Sequence, residues 1–183
     1  MLGMVFTEFL EMVEDGFGPD VADAILCTAA PGHDGAYTSV GYYDHVELMS
    51  LVAALSQRTG TAVPDLIKAF GRHLLKRFTQ VHPKMFMGSH TLFDLVARID
   101  GHIHVEVRKL YSEATLPRFT VQERSPERMV VLYQSPRGLH ELAVGLLEGA
   151  AEHYSEPCRV HTQAWQNQQG ESGSLITLER VTP

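Results

Sequence analysis

The spacing of apolar residues changes once along this chain, near Pro117, and no other feature limits the fold so strongly. Before that point they recur every three or four positions, as on one face of a helix; after it, short runs alternate as on half-buried strands. Val5, Phe6, Phe9, Leu10 and Val13 predict a helix from Leu2 to about Phe17, with Glu8, Glu11 and Glu14 on its other side. Gly18-Pro19 ends it, and Pro19 opens a second helix through Val21, Ala24, Ile25 and Cys27. The stretch 32–41, rich in Gly, Asp, Ser and Tyr, reads as a loop, and Asp44 as the cap of a third helix through Leu55. Pro64-Asp65 opens a fourth, carrying Leu66, Ile67, Phe70, Leu74, Leu75 and Phe78. From Thr91 through Tyr111 a stripe of Leu92, Phe93, Leu95, Val96, Ile99, Ile103 and Val107 predicts one long helix. Gly101 is a flaw in it, costing roughly 1 kcal/mol relative to Ala.

Beyond Pro117, Phe119 to Gln122 and Met129 to Tyr133 predict a hairpin around Ser125-Pro126-Glu127-Arg128. A helix from about Gly138 to Tyr154 comes next, then strands over Arg159 to Gln166 and Ser174 to Glu179. The expectation is an α+β fold in one domain over 1–183, an N-terminal helical half and a C-terminal antiparallel sheet with a packed helix.

A chain of 183 residues buries about two-thirds of its unfolded surface, enough to enclose an apolar cavity. Hydrophobic residues make up 44% and charged residues 20%, and no apolar run approaches the roughly 20 residues of a membrane span. The first residues lack a basic region and turn acidic at Glu8, so cytoplasm is the expected compartment and a membrane is not expected as a partner. A net charge of −7 argues against a nucleic-acid footprint. Cys27 and Cys158, far apart, suit neither a disulfide framework nor a thiolate zinc site and read as buried, inert thiols.

Two groups of residues carry chemistry. Tyr133-Gln134-Ser135-Pro136-Arg137 sets two hydroxyls and a guanidinium at a spacing of two, which on an extended segment puts all three on one face, suited to carboxylates. His104 shares a helix stripe with Phe93, Val96 and Ile103, where an imidazole is either a hydrogen-bonded core group or a metal ligand. His102, two positions away and about 200° around the helix, points the opposite way and is expected in solvent.

The run His104-Val105-Glu106-Val107-Arg108-Lys109-Leu110-Tyr111, then Leu116-Pro117-Arg118-Phe119, then the Tyr133 to Arg137 string, resembles the heme-nitric oxide/oxygen binding family, called H-NOX, which includes the heme domain of soluble guanylate cyclase. The Met1-Leu2-Gly3-Met4-Val5 opening and the Phe70-Gly71 pair also fall where that family has counterparts. The resemblance implies one heme b per chain, held between the two halves. It makes His104 the iron ligand, sets Tyr133, Ser135 and Arg137 on the propionates, and puts Pro117 against the porphyrin. Met1, Val5, Leu74, Phe78 and Leu142 supply its apolar surroundings, and Leu142 stands at the position where oxygen-binding relatives have a tyrosine.

For function, the resemblance implies a sensor without enzymatic activity that binds nitric oxide and carbon monoxide. With no kinase, cyclase or methyl-accepting segment after it, output is expected through a separate chain, a histidine kinase or a cyclic-di-GMP enzyme. Ser112 departs from the proline of the family's run, and Cys158, His161 and His140 fall short of the Cys-rich zinc site of some bacterial members. Two readings compete: a heme peroxidase or nitric oxide dioxygenase, which needs an acid/base pair above the iron, and a module for another apolar carboxylate, in which His104 is incidental.

Overall fold

The computed structural model describes residues 1–32 and 35–181; His33 and Asp34, inside the expected 32–41 loop, lie outside the described residues. The N-terminal half is helical: α1 (Gly3–Phe17), α2 (Pro19–Ala29), α3 (His45–Thr59), α4 (Val63–Val81), the single turn α5 (Pro83–Phe86) and α6 (Leu92–Ala97). A π-helical turn (Ile99–Ile103) leads into α7 (His104–Leu110). The C-terminal half contains β1 (Arg118–Arg124), β2 (Arg128–Gln134), α8 (His140–His153), β3 (Cys158–Gln166) and β4 (Ser172–Arg180). The strands form one antiparallel sheet in the order β1-β2-β4-β3. The helical and extended halves therefore meet where the apolar period changes.

Local chemistry sets the boundaries. Gly18, at φ 93°, turns the chain between α1 and α2, a region open to glycine at little cost. Pro19 takes the first position of α2, and the Asp44 carboxylate accepts a 3.0 Å hydrogen bond from Val46 N at the start of α3. Thr91 caps α6 in the same way through Asp94 N.

The sequence misleads in three places. The expected continuous helix over 91–111 is interrupted: Ile103 N bonds to Arg98 O at 3.1 Å, a step of five rather than four, so one extra residue is accommodated around Gly101. Such bulges fit one residue more into the ladder and re-aim the turns after it. Cys27 lies on the exposed side of α2 rather than in the core, two positions beyond the buried Ile25, while Cys158 is half-buried. Glu8, expected on the solvent side of α1, is only 6% exposed.

Two apolar cores result. One is built from α1 to α4 around Phe6, Phe9, Val13, Leu51, Leu55 and Phe70; the other packs α6, the sheet and α8 around Leu92, Phe93, Met129, Val131, Ile176 and Leu178. Helices α4 and α8 hold them together by direct backbone contact. A Cβ on Gly71 would lie 2.7 Å from Gly145 Cα, and one on Gly145 would lie 2.1 Å from Lys68 O, so only glycine permits this crossing. Leu146, one residue past Gly145, packs against both cores. Among the described residues, no helix is long and apolar enough to cross a membrane.

Candidate functional site

His104 is the first residue of α7, placed by the π turn before it. It is 9% exposed, one of the few buried polar residues of the chain. Its Nδ1 lies 2.9 Å from Asp100 Oδ1, and the other Asp100 oxygen accepts a 2.9 Å bond from Phe119 N at the start of β1. One carboxylate thus joins the imidazole to the sheet. Burial lowers the pKa of His104, with Asp100 opposing through its charge and hydrogen bond, so the ring is favoured as the neutral base that can coordinate a metal. With Nδ1 committed to a carboxylate, Nε2 is the nitrogen left for a ligand. Metal-bound histidines usually have their other nitrogen held in this way.

His102 is not fully in solvent. It lies half-buried in a separate groove beside Val81, His82, Pro83, Met85, Glu106 and Leu110, which His104 does not line. The two imidazoles serve different surroundings.

The Tyr133 to Arg137 string comes together by a turn rather than by strand periodicity. β2 ends at Gln134, and Ser135 Oγ accepts a 3.2 Å bond from Arg137 N while Gly138 turns the chain at φ 64°. Tyr133 is 5% exposed and donates its hydroxyl to Leu139 O at 3.2 Å. Burial raises its pKa, against a side-chain hydrogen bond with Ser135 and the charge of Arg137. Arg137 donates through Nη1 to Thr115 O at 2.6 Å. Among the described residues it forms no ion pair, leaving a guanidinium fork for an acid from outside the chain. Phe119 connects the two groups: its ring meets His104 edge-on at 6.0 Å and Tyr133 at 5.2 Å. Pro117, half-buried, sits two residues before it.

Met1, Val5, Phe78 and Leu142 are partly exposed apolar residues packed against the N-terminal core, whereas Leu74 is almost fully buried in it at 2%. Sequence alone assigns Asp100, Phe119 and Leu146 no role at the site, although Asp100 stands one helical turn before His104. Among the described residues no three His, Cys, Asp or Glu side chains converge to hold a metal ion, Cys158, His161 and His140 included.

A heme needs one basic nitrogen, a cation for its carboxylates and incompletely covered apolar side chains for its faces. The carboxylate-backed His104, Arg137, which forms no ion pair among the described residues, and the partly covered Met1, Val5, Phe78 and Leu142 are of the kinds those three requirements call for.

Comparison with known proteins assigns the chain to a class. The profile described as Haem-NO-binding matches residues 2–162, and the chain belongs to that family of heme-binding gas-sensor domains. Among solved structures it is similar to the Fe(II) unliganded H-NOX protein from K. algicida, at 31% identity and TM-score 0.90, covering 100% of this chain and 98% of that one. It is likewise similar to an H-NOX protein from S. oneidensis in the Fe(II)NO ligation state, at 31% identity and TM-score 0.86, covering 100% of both chains. Soluble guanylate cyclase 89Db of Drosophila melanogaster is 25% identical over 171 residues, 91% of this chain but 25% of that protein. The chain thus spans a quarter of that relative's length.

Proposed function

We propose that the chain is a nitric oxide sensor in a single domain over 1–183, carrying one heme b. Nε2 of His104 ligates the iron, Tyr133, Ser135 and Arg137 hold the propionates, and Pro117 presses on the porphyrin. Met1, Val5, Leu74, Phe78 and Leu142 surround it. The observation that carries this reading is the buried His104 whose Nδ1 is held by Asp100. Heme, when bound, would supply a ferrous iron able to take nitric oxide or carbon monoxide. Val5, Leu74 and Leu142 have no proton to give or take, which favours sensing over peroxidase or dioxygenase chemistry.

Asp100 gives the sensor its mechanical link. Because one of its oxygens holds the His104 ring and the other the backbone of Phe119, any displacement of α7 pulls on the start of β1, beside Pro117. The π turn supplies the slack, since an extra residue in the ladder can be taken up or moved along the helix. The signal passes to a histidine kinase or a cyclic-di-GMP enzyme in the cytoplasm, by resemblance to bacterial members of the family. Hydrogen exchange of the ferrous protein with and without nitric oxide tests this link. The gas should raise exchange over 99–110 and at the start of β1, with little change in α2 and α3; equal protection in both states would contradict it.

The clamp has its own test. A hydrogen bond to a charged group contributes about 1.5–3 kcal/mol, which is roughly tenfold or more in affinity. Arg137→Ala should therefore pass heme to apomyoglobin at least tenfold faster than the unmodified protein, and faster than Tyr133→Phe or Ser135→Ala. Equal transfer rates would remove Arg137 from the site.

A further inference from the structure

Glu8 is a carboxylate buried in the side of α1, in a contact otherwise built from Phe, Leu and Val. Its Oε2 accepts a 2.8 Å bond from Arg77 Nε and lies 3.4 Å from His73 Nε2, without hydrogen-bond alignment to it; both residues belong to α4. Arg77 reaches on to Glu11 at 3.5 Å and to Gln80 at 3.3 Å. Glu8 is buried but the Arg77 side chain is 32% exposed, and a part-buried pair of this kind gains little net stability over an apolar pair of the same shape. Stability alone therefore does not explain an ion pair here. Its geometry does something an apolar contact cannot: Oε2 must meet the directional Arg77 Nε donor while lying beside His73, one helical turn earlier on α4, which favours a single register, whereas apolar side chains can slide.

The contacts also give the direction of the helices. Glu8 meets His73 and Arg77, and Glu11 meets Arg77, so the contacts move toward the C-terminal ends of α1 and α4 together. Three residues back from Glu8 is Val5, and three back from Arg77 is Leu74. Both belong to the N-terminal core. We propose that Glu8 is a positioning residue: tied to Arg77 and His73, it fixes the register of α1 on α4 and so sets how closely Val5 and Leu74 close around a gas bound at the heme. This rests on the reading of Val5 and Leu74 as walls of the gas site.

The test compares the heme-loaded full chain with Glu8→Gln and with the paired apolar replacement Glu8→Leu/Arg77→Met. Three quantities are measured: the thermal midpoint, the carbon monoxide dissociation rate, and amide exchange across α1 and α4. The paired variant should keep its thermal midpoint within a few degrees, release carbon monoxide at least threefold faster, and exchange faster over the first turns of α1. If it instead melts early, Glu8→Gln carries the same comparison with the side-chain shape retained. Unchanged dissociation and unchanged α1 exchange in the variants would overturn the proposal and leave Glu8 a structural group. The two readings fail separately. Exchange in α1 that rises while carbon monoxide release stays at the wild-type rate would mean the tie exists but Val5 and Leu74 do not face the gas.

Discussion

His104→Gly should yield a protein that acquires heme only when imidazole is added, whereas His102→Ala should give the ferrous absorption spectrum of the unmodified chain. The difference comes from the surroundings of each ring. His104 is buried, backed by Asp100 and in edge contact with Phe119, so its loss removes the ligand and leaves a space that a free imidazole fills. His102 lines another groove, beside His82 and Glu106. Absorption spectra of the two variants, recorded with and without imidazole, check this. A larger effect from His102→Ala would mean that the π turn presents the wrong ring to the site.

The elements were largely legible because each is encoded over a few neighbouring residues. Gly18-Pro19, the Asp44 cap and the alternation after Pro117 need no distant partner to act, and they appear where the pattern puts them. The residues proposed to carry chemistry stood out in the sequence for a different reason, since His104, Pro117 and the Tyr133 to Arg137 string resemble a family pattern. The features that were not legible depend on partners far along the chain. Glu8 sits at the edge of the apolar stripe of α1, and only Arg77, brought in by α4, makes its burial tolerable. Judged by residue type, it belonged with Glu11 and Glu14 in solvent.

The π turn was hidden in a subtler way. Gly101 was visible as a weak point in a helix, but periodicity cannot distinguish a weakened α-turn from a five-residue step, because both keep Ile99 and Ile103 on the inner side. The bonds of His102 and Ile103 to Arg98 O decide it. The clamp was similar: a spacing of two suggested a strand face, while Pro136 and Gly138 end the strand and gather Tyr133, Ser135 and Arg137 by folding back. The turn, not the strand face, brings these three residues together.

Leu142→Tyr should give the protein an affinity for oxygen that the unmodified chain lacks. Oxygen held at ferrous heme carries partial negative charge and gains from a hydrogen-bond donor, while nitric oxide binds strongly without one. The side chains assigned to that face, Val5, Leu74 and Leu142, are all apolar, and Leu142 is the one on α8, just before the Gly71–Gly145 crossing. A phenol there would donate into a dry pocket, where a hydrogen bond to a charged acceptor contributes on the order of 1–3 kcal/mol. That corresponds to roughly tenfold or more in oxygen affinity. Val144→Tyr, on the same helix but buried on another side, should have no such effect.

The most direct test of a nitric oxide sensor uses the unmodified chain: the ferrous protein is equilibrated in air and then, separately and without oxygen, with nitric oxide, and absorption spectra are recorded in each case. The account predicts no stable oxygenated spectrum in air, and complete conversion by stoichiometric nitric oxide. A stable oxygenated spectrum in air would contradict it, as would ferrous protein left unchanged by nitric oxide.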